Sequence, residues 1–207
     1  MIKTKRIMPN WIRNRIDFQG EREIIEKAFE FIKGEKSVMD FNKVIPMPET
    51  YRKYDTTNHP NGVGIEDQAL KLEYIKATRE QKRNYGEVGW YDWSVRYWGS
   101  KWNACDARRV GDFIEFETAW SGVPKVVKEL AKKFPELYLC YSYADEDAGN
   151  NVGTGYSDYG ESKLWFSEEI DNSDDAWSVF FDLWGCEDEY EKVDGEWRYK
   201  EISEEEY

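Results

Sequence analysis

With 207 residues, 40% of them apolar, the chain is long enough to bury a core, and its length suits one elaborated domain. No stretch approaches the roughly 18 apolar residues of a membrane-spanning helix, and the basic start has no apolar run behind it, so a soluble, cytoplasmic protein is expected. The net charge of −13 sits in the last third: residues 1–139 carry 25 Lys+Arg against 21 Asp+Glu, net +4, and residues 140–207 carry 4 against 21, net −17.

Such an asymmetry points to an interaction surface, an acidic tail, or two parts of one protein facing each other with opposite sign. Cys105, Cys140 and Cys186 are odd in number and widely spaced, with no Cys-x-x-Cys, which speaks against a disulfide framework and a zinc knuckle. Free, mostly buried thiols are expected. Aromatic residues make up 16% of the chain, and five of its ten tryptophans fall in residues 90–124. Much of the core should therefore be ring packing, with Trp and Tyr polar tips finding partners at its margins.

In chain order, residues 10–18 alternate, with Ile12, Asn14, Ile16 and Phe18 on one face and Trp11, Arg13, Arg15 and Asp17 on the other, the period of a half-buried strand. Residues 21–33 repeat apolar positions at three and four (Ile24, Ile25, Ala28, Phe29, Ile32), which predicts a helix, with Gly34 at the place of a C-cap glycine. Residues 38–65 read as a long ordered loop: a short strand over 38–45 is an alternative, but Pro46 and Pro48 stop it and 58–64 is turn chemistry. Residues 66–84 suit an outer helix and 90–98 a short aromatic one. Residues 102–109 and 112–120 form a hairpin turned at Val110-Gly111, and 124–133 a helix with Ser121 as its cap. A strand follows over 137–143, with Leu137, Leu139, Tyr141 and Tyr143 on its buried face.

Strand, helix, insertion, strand, strand, helix, strand is the order of an α+β ferredoxin-like βαββαβ sandwich. Beyond it come a mobile glycine-rich turn over 149–155, a strand over 162–166, and a helix from Asp174. That helix has Ser173 as cap, Gly185 after it, and an apolar stripe of Trp177, Phe180, Phe181 and Trp184 that needs an apolar partner. Val193-Asp194-Gly195-Glu196 marks a final hairpin and residues 204–206 a frayed acidic end.

Four blocks of this sequence carry a family resemblance: Met8-Pro9-Asn10-Trp11 with Asn14, Phe41-Asn42 with Ile45-Pro46-Met47-Pro48, residues 98–104 (Trp-Gly-Ser-Lys-Trp-Asn-Ala), and Thr118-Ala119-Trp120-Ser121 with Pro124. In this order they resemble the Api-like ferredoxin-like domain family of phage, plasmid and bacterial proteins of unknown function, over roughly residues 8–143. The resemblance implies the ferredoxin-like fold and supplies no reaction, cofactor or catalytic residue. The expected organisation is a basic lead at 1–7, the ferredoxin-like domain at 8–143 with its insertion at about 38–100, and an acidic α/β extension at 144–207 packed on the same domain. Cys105 stands where family members often carry an aromatic.

Chemistry-bearing residues are few. His59 is the sole histidine, in a turn-rich loop before Pro60, and reads as a solvated side chain rather than a triad member. Asp145-Glu146-Asp147 with Gly149-Asn150-Asn151 lacks the spacing of a calcium-hand loop and reads as a solvated acidic loop. Gly62-Val63-Gly64 and Gly153-Thr154-Gly155 lack the third glycine and the strand-to-helix setting of a phosphate loop. No metal, cofactor or catalytic residue is assigned. The candidate binding residues are Trp98, Lys101, Trp102, Asn103 and Trp120, where ring faces, an ammonium and an amide converge if the rings do not simply plug the end of the sandwich.

Direct nucleic-acid binding is disfavoured, because the strands lack the aromatic RNA-recognition pattern and the net charge repels phosphate. The reading favoured by the charges is a non-catalytic binding or accessory protein of mobile-element type that works by protein contact, its acidic last third facing a basic DNA-handling protein. The competing reading is a small-molecule binder, for a base- or sugar-like ligand, or an enzyme, built on the aromatic cluster.

Overall fold

The alternation of the first strand decides the architecture, because a strand with one wholly buried face can sit at the centre of a sheet. The computed structural model describes residues 10–53, 66–86, 89–159, 164–169 and 171–200. Strand β1 (Trp11–Gln19) pairs antiparallel with β3 (Phe113–Ala119) on one side and with β4 (Tyr138–Asp145) on the other. β2 (Cys105–Val110) joins β3, while β5 (Gly153–Ser157) and β6 (Leu164–Glu168) continue outward from β4, giving the order β2-β3-β1-β4-β5-β6. The first four strands, with helices α1 (Arg22–Ile32) and α6 (Pro124–Lys133), form the ferredoxin-like sandwich. Both helices bury their stripes, Ile25, Phe29 and Ile32 with Val126, Val127 and Leu130, against Ile12, Ile16, Ile114, Leu139 and Tyr141.

Asn14 falls on this apolar face and is fully buried, yet no donor or acceptor on it is wasted. Its Nδ2 donates to Ile12 O (2.9 Å) and Thr118 Oγ1 (2.9 Å), and its Oδ1 accepts from the Tyr141 hydroxyl (2.7 Å). That hydroxyl in turn accepts from Val123 N (2.6 Å), and Thr118 Oγ1 donates to Ser121 O (2.7 Å). Burial holds the Tyr141 phenol well above its ordinary range, so it stays a donor.

Several local expectations change. In the predicted loop over 38–65, residues Phe41–Val44 form a helical turn, α2, and Glu49–Lys53 another, α3. The reason is capping from both near and far: Asp40 accepts from Asn42 N (2.9 Å), and Asn103, 62 positions away, accepts from Phe41 N (2.8 Å). Residues 54–65 of that predicted loop, with His59 and the Gly62-Val63-Gly64 pattern, lie outside the described residues, as do the lead at 1–7 and the acidic end at 204–206. Gly34 is not a left-handed cap; α1 ends at Lys33 in extended conformation. Ser121 does not cap α6, whose N-cap is Val123. α4 (Gln68–Tyr85) and α5 (Trp90–Tyr97) stand as expected, and β2 begins only at Cys105, with a register irregularity before Arg108.

The predicted glycine-rich turn is half strand. A Cβ at Gly153 would lie 2.6 Å from Tyr143 Cε1 and 2.8 Å from Phe166 Cζ, so glycine is there to let two rings close over β5. Beyond β6, α7 (Asp174–Trp184) keeps its Ser173 cap and its left-handed Gly185, and packs on the opposite sheet face from α1 and α6. Its stripe of Trp177, Phe180 and Phe181 is covered by Ala144 and Val152 on one side. On the other lie Tyr190 and Trp197 of the hairpin β7 (Tyr190–Val193) and β8 (Glu196–Tyr199). The hairpin turns through Asp194 and Gly195, both at positive φ, as a two-residue connection requires.

Candidate functional site

The sequence candidates divide into two sets with different environments. Trp98 closes α5 and is 3% exposed; its Nε1 donates to Ile45 O (2.9 Å), and its ring meets Phe41 and Trp93 edge-on at 5.7 and 5.4 Å. Asn103 is equally structural. Its Oδ1 accepts from Phe41 N and Ala104 N, and its Nδ2 donates to Asp40 Oδ1 at 2.6 Å, so one amide holds the N-terminus of α2 against the turn before β2. Both belong to the packing of the insertion.

Lys101, Trp102 and Trp120 face outward at the end of the sheet. Trp102 lies between Trp120 (ring centroids 6.2 Å, stacked) and Trp11 (6.1 Å), and the Lys101 ammonium stands 4.4 Å from the Trp102 centroid, 5.3 Å from Trp120 and 5.8 Å from Tyr91. Trp120 is 39% exposed and has φ 67°, a left-handed conformation that ends β3 abruptly and turns the ring outward. Its N–H donates to Asn10 O (3.0 Å). Sequence reasoning passed over Trp11 and Tyr91 as members of this group. The usable signal at Trp11 was an aromatic in the polar phase of an alternating strand.

The acidic third meets the rings here. Asp145 ends β4 and is 5% exposed rather than a solvated loop residue, accepting from Asn10 Nδ2 (3.2 Å), Asp147 N (2.9 Å) and Asn151 Nδ2 (2.9 Å). Asn151 also donates to Trp120 O (3.1 Å), and Trp11 exchanges bonds with Glu146 (Trp11 N to Oε1 at 3.0 Å, Glu146 N to Trp11 O at 2.9 Å). Behind Asn151 opens a cleft of about 700 Å³ lined by Asp145, Asp147, Glu168, Glu169 and Asp171. The aromatic stack and the acidic cleft are therefore one continuous surface, joined through the two asparagines.

Its chemistry is that of binding. Rings and carboxylates side by side attract cations through ring quadrupoles and through charge. The Trp102 ring is already in contact with those of Trp11 and Trp120, which leaves no slot for a flat ligand between them. The three cysteines are free and half-buried, and burial pushes each thiol above its ordinary range, away from the nucleophilic thiolate. Among the described residues no group of three or more His, Cys, Asp or Glu side chains is placed to hold a metal ion, and no helix is long and apolar enough to cross a membrane.

Comparison with known proteins follows from this geometry. Residues 97–187 match the family described as the ferredoxin-like domain in Api92-like protein. That span contains two of the four blocks singled out above, residues 98–104 and 118–124, and reaches to the end of α7. It leaves out β1, the strand at the centre of the sheet. A solved structure, the protein api92 from Yersinia pseudotuberculosis, aligns over 79% of this chain and 99% of its own, with 9% identity and a TM-score of 0.46. No curated protein matches.

Proposed function

For a chain that carries the ferredoxin-like domain of Api92-like proteins in residues 97–187, we propose the role of a non-catalytic binding protein of the cytoplasm that holds a basic partner protein. The observation that carries this reading is the join between the Trp11/Trp102/Trp120 stack and the acidic cleft, made by the bonds of Asn151 to Trp120 and Asp145. Lysine and arginine side chains of a partner find ring faces and carboxylates within one surface, and interface aromatics supply area at low entropic cost. Few acids of the last third are already satisfied by cations: among the described residues Asp174 pairs with Lys192, Asp182 with Arg15 and Glu196 with Arg198. A basic surface built to contact DNA phosphates suits this charge pattern, which makes a DNA-handling protein of a mobile element the partner class proposed.

The test is titration of the full chain with a nona-arginine peptide, followed by tryptophan fluorescence at low and high salt. Binding that weakens steeply with salt is expected, together with at least a fivefold loss in Trp120→Ala and in Asp171→Asn. Asp194→Asn, on the far hairpin, should leave it unchanged. Equal loss in all three variants would mean diffuse attraction to an acidic protein and would remove the reading.

A further inference from the structure

The outer face of the sheet is covered over only part of its length. α7 lies on the end marked by Arg13 and Ala144: Arg13 Nη1 donates to Leu183 O (3.3 Å), Trp184 Nε1 to Ala144 O (3.3 Å), and Arg15 pairs with Asp182 (2.7 Å). Farther along the strands, the register sets Asp17, Cys140, Tyr156 and Trp165 side by side on that same face, one each from β1, β4, β5 and β6. Tyr138, two positions before Cys140, stacks on Tyr156 at 6.1 Å and meets Tyr159 at 5.6 Å. Tyr156, Trp165 and Tyr159 are 45%, 52% and 58% exposed. Core rings do not stand out of a sheet in a row, and a contiguous exposed aromatic patch of this kind marks an interaction surface.

Charge and backbone say what suits it. No lysine or arginine occurs in β4, β5 or β6. Asp17 flanks the row on one side, Asp158 accepts from Trp165 Nε1 (3.3 Å) on the other, and Arg15, two positions before Asp17 on β1, is held by Glu115 and Asp182. β6 is the last strand in the sheet order, and its sequence Leu-Trp-Phe-Ser-Glu has neither the lysine nor the proline that ordinarily guards an edge.

We propose that the edge of β6 and the Tyr138/Tyr156/Trp165 face together form a docking site for an extended, arginine- or lysine-bearing segment of a partner protein, added to the sheet as a seventh strand. Main-chain hydrogen bonds to β6 give such a segment its hold. Alternate side chains, at the period of two, fall on the aromatic face, where cationic groups lie over Trp165, toward Tyr156, and reach Asp158. Nucleic acid would set phosphates against the same carboxylates, and a second copy would set acidic third against acidic third. The site meets the Trp102/Trp120 surface only at Glu168, which ends β6 and lines the acidic cleft, and the variants at Trp165 and Trp120 separate the two, so each reading can fail alone.

The test uses the full chain and three octapeptides: alternating arginine and threonine, alternating glutamate and threonine, and the arginine peptide with prolines at two threonine positions. The probe is NMR of the tryptophan indoles and backbone amides. The arginine–threonine peptide should shift the Trp165 indole and the β6 amides, with at least tenfold weaker binding in Trp165→Ala, several-fold weaker in Asp158→Asn, and no change in Trp120→Ala. The proline-containing and glutamate peptides should bind at least tenfold more weakly. Equal binding of the proline peptide would overturn strand addition. Preferential binding of oligothymidylate to Trp165, or concentration-dependent dimerisation through this face, would overturn the partner class.

Discussion

Trp98 and Trp102 stand four positions apart in one tryptophan-rich block, and the structure treats them in opposite ways. Trp98 is walled in by Phe41 and Trp93, and its indole N–H is satisfied by the carbonyl of Ile45. Trp102 is half-buried, stacked between two other tryptophans and capped by the Lys101 ammonium at the edge of an acidic cleft. The difference lies in what the indole nitrogen and the ring faces meet. Inside, a backbone carbonyl and apolar rings make the tryptophan a structural plug; outside, a cation and neighbouring carboxylates leave it part of the surface proposed for binding. Composition cannot separate the two, because both rings sit in the same run of residues and both lie next to polar side chains in sequence.

The strongest break in this comparison is expected from Trp98→Ala, which empties a buried ring-sized space and orphans the Ile45 carbonyl, at a cost of about 3–5 kcal/mol in the unfolding free energy read by urea denaturation. A loss under about 1 kcal/mol would mean that Trp98 belongs with the outer rings. Next comes Asn14→Ala. It strips partners from Tyr141 and Thr118 in a dry interior, so a loss of about 2–3 kcal/mol is expected, with the Tyr141 hydroxyl left to a single acceptor role. Gly153→Ala should cost about 1–3 kcal/mol, because its new methyl meets Tyr143 and Phe166, and the Tyr143 phenol, pushed up to about 12 by burial, should move toward its ordinary range as the rings part. Spectrophotometric titration of the tyrosines reads that shift. Trp120→Ala sits at the other end of the scale. Removing an exposed ring should change stability by less than about 1 kcal/mol while weakening the binding of nona-arginine at least fivefold.

The same contrast explains what was legible in the sequence. β1, α1, α6, α7 and the β7–β8 turn were readable because each owes its form to local pattern: alternation, a three-four stripe, a serine cap, an Asp-Gly turn. α2 was not readable, since one of its two caps comes from Asn103, which nothing local announces. β5 was misread as a turn because its glycines serve rings on β4 and β6 rather than a change of direction. At the candidate site, the aromatic block and the acidic third were each visible as composition, yet their union depends on Asn10 and Asn151 meeting Asp145 across the sheet, a long-range fact. The Tyr156–Trp165 row was invisible for the same reason: it exists only once two strands are in register.

The smallest expected effect concerns charge. Glu26 on α1 takes a bidentate bond from Arg109 (2.7 and 2.8 Å), and that bond, with Arg22 nearby, holds its carboxyl down at about 2. A carboxyl depressed in the folded state contributes stability that is present above the ordinary carboxylate range and is lost as pH falls through that range toward about 2. The pair is exposed and screened by salt, so its contribution is small. Asp17, on the sheet face beside Cys140, behaves oppositely. Burial raises its carboxyl more than Arg15 lowers it, so its share of stability is present at acid pH and fades as pH rises through its raised range. Urea midpoints of the parent, Glu26→Gln and Asp17→Asn between pH 7 and pH 2.5 should therefore diverge in sign. The glutamine variant should be the weaker at neutral pH and converge with the parent in acid. The asparagine variant should equal or exceed the parent at neutral pH and lose that advantage in acid. Parallel curves for all three would mean that neither carboxyl is shifted by its surroundings, and that the inner and outer charges of this sheet are alike after all.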